Sequence, residues 1–310
     1  MKAARFHSYG GPEVLIYEDA PKPEPAAGEV LVKIHAASVN PIDWKIRAGH
    51  MKAFRDYPLP FILGWDVSGV IESCGAGVTL WKPGDEVFGF LDSARNGAYA
   101  EYVAAPETQF VRKPRTLDHV HAASIPLAGL TAWQALFDSA GLEAGQKVLI
   151  HAAAGGVGHF AVQFAKIRNL YVAGTASARN QAFLKQLGCD LPIDYQKDRF
   201  EEVVHDFDAV IESIGGEVRQ RSWKVLKKGG IMVCLIGPPA AEADAQAVGA
   251  RAALIWGQMN TKQLTEVANL ADTGRFRAEI AAVFALKDAA QAHTLSQTER
   301  VRGKIVLQVI

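Results

Sequence analysis

Cysteine is scarce in this sequence: Cys74, Cys189 and Cys234 lie far apart and form no C-x-x-C pair. That removes a disulfide framework and suits a reducing compartment. An excess of either charge is missing too. Lysine plus arginine and aspartate plus glutamate number 33 each, so no overall field favours nucleic acid, a membrane surface or a strongly acidic partner. No run of about 18 apolar residues occurs, and the first twenty residues, MKAARFHSYGGPEVLIYEDA, lack the apolar core of a secretion signal. Neither a Ser/His/Asp nucleophile arrangement nor a paired-carboxylate site is present. The expectation is a soluble cytoplasmic protein with a small-molecule substrate, no nucleic acid and no membrane partner; a homodimer is compatible with it. At 310 residues the chain has the length of about two domains.

What is present is concentrated at residues 147–166, KVLIHAAAGGVGHFAVQFAK. The first five residues read as a buried parallel strand. Val157, Phe160, Ala161, Phe164 and Ala165 then fall three and four apart, the spacing of one helix face beginning near Gly156. The glycines therefore sit at a strand-to-helix turn. There Gly155 is expected to take a backbone angle closed to other residues, Gly156 to admit a ligand to the main chain, and Gly158 to let the helix lie close to the strand. Ala154, Gly155, Gly156, Val157 and Gly158 would together hold a pyrophosphate on the free amides of the helix. The first glycine of the usual fingerprint is Ala153, giving A-x-G-x-x-G. On the motif alone an ordinary tight turn explains the stretch equally well.

The context favours the ligand. LYVAGTAS, DLPIDY, DAVIES and GIMVCLIG supply four further strand-like runs, separated by helical stretches such as ARNQAFLKQLG. Such alternation means an α/β fold with a doubly wound parallel sheet. Before this region the texture changes: EVLVKIHAASV, DVSGVIESCG and DEVFGF are short strand-like runs punctuated by Gly and Pro, as in a small barrel. ERVRGKIVLQVI (299–310) is strand-like again and is expected to rejoin that barrel. Residues 240–253 are alanine-rich and read as a mobile tract.

Five motifs occur in order: SVNPIDWKIRAG (38–49), GWDVSGVIESCGAGV (64–78), WKPGDEVFG (81–89), HAAAGGVG (151–158) and RGKIVL (302–307). Together they resemble the zinc-independent quinone oxidoreductase family of the medium-chain dehydrogenase/reductase superfamily. The resemblance implies a GroES-like β-barrel catalytic domain (1–122), a Rossmann NADP-binding domain (123–265) and a C-terminal return to the catalytic domain (266–310). It further implies NADPH as cofactor and reduction of quinones or of activated carbon–carbon double bonds in enones and enals. An alcohol dehydrogenase-like carbonyl reductase and a non-catalytic NADPH-binding protein are the competing readings.

Catalytic zinc needs about three Cys, His or Asp/Glu ligands converging on one point. In the zinc-dependent relatives a cysteine falls at the place of Asn40, and G-H-E at the place of Gly64-Trp65-Asp66, so only Asp66 still offers a ligand. No metal is expected. Charge developing on a carbonyl oxygen must then meet hydrogen-bond donors. Asn40 carries two amide donors at a position that lines the cleft in the resembled family, or else is a turn residue before Pro41. Asp43 orients Asn40 or Lys45, or caps the following helical turn. Trp44, Tyr57, Trp65 and Trp256 could wall a flat quinone pocket, although aromatics are more often core.

For the cofactor, Thr131 matches a family position beside it, and Tyr195 would lie along the adenosine or stand as a half-buried strand aromatic. Ser213, Gly215 and Gly237 close strands at the carboxyl edge, where ligands bind in such sheets. Lys304 reaches phosphate or nicotinamide, or is one more solvated lysine. The loop after the second strand, 174–180, contains no carboxylate to bind a ribose 2′-hydroxyl and does contain Ser177 and Arg179. That pattern points to the 2′-phosphate of NADPH over NADH, with Ser177 as a helix cap and Arg179 as a solvated side chain the plain alternative.

Overall fold

A computed structural model describes residues 1–237, 240 and 242–310. The chain begins with strands β1 (Lys2–Phe6), β2 (Leu15–Asp19) and β3 (Glu29–Val39), then helix α1 (Pro41–Arg47). Strands β4 (Phe61–Ile62), β5 (Asp66–Cys74), β6 (Glu86–Phe90), β7 (Tyr102–Pro106) and β8 (Phe110–Arg112) follow, with helices α2 (His119–Ala123) and α3 (Pro126–Trp133) after them. The middle alternates: β9 (Lys147–Ile150), α4 (Gly158–Ile167), β10 (Tyr171–Ala176), α5 (Gln181–Gln186), β11 (Leu191–Asp194), α6 (Phe200–Val203), β12 (Phe207–Glu212), α7 (Gly216–Ser222), β13 (Leu226–Cys234), α8 (Glu242–Ala247) and β14 (Arg251–Leu254). Last come α9 (Thr261–Asp272), β15 (Ile280–Ala285), α10 (Ala289–Gln297) and β16 (Lys304–Gln308).

Two compact units result: Met1–Leu127 with Met259–Ile310, and Ala128–Gln258. The divisions fall at Leu127 and Gln258 where the sequence had put 122 and 265. Leu127 is tied to the first unit by its N–H, which donates to Asp66 Oδ1 at 2.6 Å. Helix α9 is tied to it as a whole, because it packs on β8 and its Asp272 caps Thr116.

In the first unit β3 is the hub. It pairs antiparallel with β5, β7 and β16, and the sheet runs β15-β16-β3-β5-β6-β8. A three-stranded sheet, β2-β1-β4, joins it through the Ala3–Ala100 bridge. Phe6, Phe61, Leu63, Trp65, Val67 and Leu307 are among the residues of its core. The strand-like C-terminal segment does rejoin these strands, as β16.

The second unit is a six-stranded parallel sheet of order β11-β10-β9-β12-β13-β14. That is a doubly wound order, reversing between β9 and β12. Helix α4 is buried along all of Gly158–Ala165, a wider surface than the one face its apolar spacing marks. The alanine-rich tract is a correction: its described residues include α8 and the sixth strand, β14, which pairs with β13 from Ile231↔Arg251 to Cys234↔Leu254. Alanine there is compatible with tight packing, since Ala245 is core. Among the described residues no helix is long and apolar enough to cross a membrane.

Candidate functional site

The turn after β9 is built by close backbone contacts. The left-handed residue is Ala152, at φ 47°, and not Gly155, whose φ is not positive. Ala152 takes the strained angle because its carbonyl closes the turn, accepting Gly155 N–H at 2.8 Å. Gly158 behaves as its sequence position implies: a Cβ there would stand 2.3 Å from Ala152 O and 2.7 Å from Ala153 Cα. Ala153 replaces a glycine without penalty because its methyl lies over Gly174 of β10, where an added Cβ would come within 2.9 Å of it. Among the described residues, the N–H groups of Ala154, Gly156, Val157 and Gly158 have no acceptor. Four unspent amides at the start of a ten-residue helix are donors of the kind an anion accepts from.

At the end of β10, Ser177 is extended and starts a 3-10 turn, Ala178–Asn180, yet its hydroxyl makes no cap bond. Its Oγ instead accepts from Asn180 Nδ2 at 3.4 Å. Arg179 is exposed beside it. Tyr195 corrects the half-buried alternative: it is 59% exposed, immediately after β11, with its N–H on Ala176 O at 3.3 Å. The loops carrying Arg179 and Tyr195 are thereby neighbours. Ser213 donates to His151 O at 3.3 Å, and Gly215 and Gly237 take φ angles of 79° and 127° just past β12 and β13. Thr131 is buried in α3.

His151 was missed by sequence reasoning, where it read only as the end of a strand. Its Nε2 lies 2.9 Å from Ser222 Oγ and its Nδ1 3.1 Å from Thr175 Oγ1. The Ser222 proton goes to Val218 O, so Ser222 accepts from Nε2–H, and Nδ1 accepts from Thr175. Burial pushes the imidazole down to about 4, keeping it neutral.

In the first unit the strand register assembles a second cluster. β3 ends with Ser38 opposite Asp66 of β5 on one side and Val39 opposite Ile305 of β16 on the other. Asn40, next along the chain, therefore lies between an anion and a cation. Its Nδ2 donates to Asp66 Oδ2 at 2.8 Å, while its Oδ1 accepts from Lys304 Nζ at 2.5 Å. Ser38 Oγ also donates to Asp66 Oδ2, at 2.5 Å, and Lys304 Nζ is 3.7 Å from the same oxygen. Oxygen toward ammonium and nitrogen toward carboxylate leaves one orientation for the amide and one amide hydrogen unspent. Lys304 is 3% exposed, which overturns the solvated-lysine alternative; burial lowers its pKa, opposed by Asp66 and Asp43. Among the described residues, no three His, Cys, Asp or Glu side chains form a group able to hold a metal ion.

Asp43 caps α1. Its Oδ2 accepts from Asn40 N–H and from Tyr99 Oη, both at 2.7 Å, so it holds the Asn40 backbone and not Lys45. Its Oδ1 is buried without a partner among the described residues, and burial pushes the carboxyl up to about 7. Tyr99 and His293, also missed in the sequence, continue inward: His293 Nε2 lies 3.3 Å from Tyr99 Oη, and Arg47 Nε donates to His293 Nδ1 at 3.3 Å. They are far apart in sequence and carry no motif.

The four aromatics separate. Trp65, 1% exposed, and Tyr57, 4.8 Å from the Phe61 ring, are core of the first unit, correcting the pocket expectation for both. The strands that flank Trp65 turn it inward, where its large apolar surface is buried. Trp44 is half-buried and edge-on to His50 at 5.7 Å. Trp256, in the second unit, is 50% exposed.

Residues 26–115 match the alcohol dehydrogenase GroES-like domain model, and residues 187–307 the zinc-binding dehydrogenase model. The chain is 41% identical over 247 residues to the 2-methylene-furan-3-one reductase of Solanum lycopersicum, covering 76% of this chain and spanning 62% of that relative's length. It is 32% identical to the chloroplastic quinone-oxidoreductase QR1 of Triphysaria versicolor over 99% of this chain and 98% of that one. Among solved structures, the quinone oxidoreductase of Coxiella burnetii matches with a TM-score of 0.91 at 39% identity, over 100% of this chain and 99% of that one. The Escherichia coli quinone oxidoreductase complexed with NADPH matches at 0.90 and 26%, over the whole of both chains. A shared fold across these structures, with substantial identity along the full chain, settles the family: the chain belongs to the quinone oxidoreductases of the medium-chain dehydrogenase/reductase superfamily.

Proposed function

We propose that this chain is an NADPH-dependent oxidoreductase that transfers hydride to a quinone or to the activated double bond of an enone or enal, without zinc. The observation that carries this reading is the Asn40 amide held between Lys304 and Asp66, in a cluster that turns an amide hydrogen and an ammonium to use and offers Asp66 as its one metal-ligating side chain among the described residues. NADPH supplies the hydride. The chain's own residues bind and orient. The free amides of Ala154, Gly156, Val157 and Gly158 suit the pyrophosphate, and Ser177 with Arg179 suits the 2′-phosphate, with Tyr195, Thr131, Ser213, Gly215 and Gly237 lining the rest. On the substrate side, the remaining Asn40 amide hydrogen and the Lys304 ammonium serve the negative charge that develops on a carbonyl oxygen. The Escherichia coli relative, solved as a complex with NADPH, supports the cofactor, and the tomato reductase's name supports the enone. A homodimer is compatible with the one-sided pairing of β14, and the three free cysteines suit the cytoplasm.

The test is NADPH consumption with a benzoquinone, a short enone and a saturated ketone, before and after prolonged chelation. Turnover of the first two, unchanged by chelation, is expected. Reduction of the ketone alone points to a carbonyl reductase, silence with all three to a binding protein, and loss on chelation to a metal. Asn40→Ala should slow turnover by roughly a hundredfold to a thousandfold, as for a lost transition-state donor, with NADPH affinity unchanged. Unchanged turnover would return Asn40 to a turn residue.

A further inference from the structure

The turn after β12 is filled by the chain itself. Glu212, the last residue of β12, is fully buried, and its Oε1 accepts the N–H groups of Ile214 at 2.6 Å and Gly215 at 2.5 Å. Its Oε2 meets Arg219 Nε at 2.7 Å. Arg219, 8% exposed on α7, donates through Nη2 to Ile236 O at 2.7 Å, and Glu212 O accepts Leu235 N–H at 2.8 Å. One ion pair therefore holds the end of β12, the turn bearing Ser213 and Gly215, and the end of β13 just before Gly237.

Burying two charges is expensive, and apolar residues of similar size usually serve stability as well or better. Stability alone thus accounts poorly for the pair. A lone carboxylate at the carboxyl edge would also repel an anionic cofactor, whereas one neutralised by arginine does not. In an open parallel sheet of this order, the strands on either side of the reversal make two mononucleotide-binding halves. The β9–β10 half carries the unspent amides and the Ser177–Arg179 loop. The β12–β13 half carries the ion pair.

We propose that Glu212 and Arg219 are positioning residues for the nicotinamide half of NADPH, setting the backbone of Ser213–Gly215 and of Ile236–Gly237 against it. This rests on the NADPH reading above. The two side chains act through the turns they hold: the carboxylate fixes where Gly215 leaves the strand, and the guanidinium fork couples that turn to its neighbour.

The experiment titrates the full chain with NADPH and, separately, with adenosine 2′,5′-bisphosphate, which carries only the adenosine half and its phosphates. The variants are the double substitution E212M/R219M, which leaves no unpaired buried charge, and R219K, which keeps the cation but loses the fork. Thermal melts accompany each titration. In the double variant NADPH binding should weaken by roughly tenfold or more, equivalent to about 1.4 kcal/mol, with bisphosphate affinity and melting temperature held. R219K should show a smaller loss of the same selective kind. Unchanged NADPH affinity in both variants, or equal losses for the two ligands, overturns the proposal. If the double variant does not fold, the same comparison on R219K decides. A wild-type chain that binds neither ligand overturns the NADPH reading itself, and this inference with it.

Discussion

Two strand-to-helix turns stand on neighbouring strands of one sheet, and they treat their amides in opposite ways. After β9 the turn residues Ala154, Gly156, Val157 and Gly158 leave their N–H groups unspent, with no acid among residues 151–158. After β12, Ile214 and Gly215 give theirs to the buried Glu212. Topologically the two are equivalent, each lying at a carboxyl end beside the reversal of strand order. The difference is a single carboxylate and the arginine that neutralises it. An anion site in such a sheet is thus set less by the helix that follows than by whether the chain has already supplied an anion of its own.

The comparison breaks most completely at Gly158. A valine there would drive its Cβ into Ala152 O and Ala153 Cα, which are backbone and cannot yield. Gly158→Val is expected to abolish NADPH binding and to lower stability by about 1–3 kcal/mol or more, as overpacking does; calorimetric titration and a thermal melt check both. Next, Gly156→Asp places a carboxylate at the open turn with no arginine to neutralise it, imitating the filled one. Like charges brought together cost several kcal/mol, so NADPH affinity should drop by roughly a hundredfold or more, and a variant that binds as wild type would show that the pyrophosphate lies elsewhere.

Arg179→Ala sharpens the comparison within the open half. One charge-assisted bond contributes about 1.5–3 kcal/mol, so NADPH should bind roughly tenfold to a hundredfold more weakly while NADH binding holds; equal losses would make Arg179 a structural residue. The smallest effect concerns pH. His151, at the base of the open turn, is pushed down to about 4 from the ordinary 6.5. The unfolded chain takes up its proton first as pH falls, so the stability from neutral His151 is present above about 6.5 and is lost toward 4, up to about 3 kcal/mol. His151→Asn should flatten that slope in melts across the range, though only in part, because His293, pushed down to about 3, titrates in the same sense.

Much of this was legible from spacing. The alternation of strands and helices, the close approach at Gly158 and the return of residues 304–308 to the barrel strands all follow from local pattern, which is where sequence is strongest. Details of the turn were not. The strained angle passed from Gly155 to Ala152, because it depends on which carbonyl closes the turn, and Ala153 is accommodated only through Gly174, a partner on another strand. Lys304, Asp66, Tyr99 and His293 were opaque for the same reason. Their pairing is decided by strand register and by long-range packing, and nothing in a run such as RGKIVL distinguishes a buried lysine from a solvated one. Trp65 misled because an aromatic beside a cleft motif and an aromatic of the core look alike until the strand's inward face is known.

The arrangement of β16 has a consequence in time. Lys304 follows Asn40 by 264 positions, so during synthesis the anion and the amide of the first-unit cluster exist long before the ammonium that sits against them. Until β16 docks on β3, Asp66 has Ser38, Asn40 and the Leu127 N–H but not the Lys304 ammonium. The order of translation therefore separates the second unit, whose residues end at Gln258, from the first-unit cluster, which is complete only once residue 304 has been added.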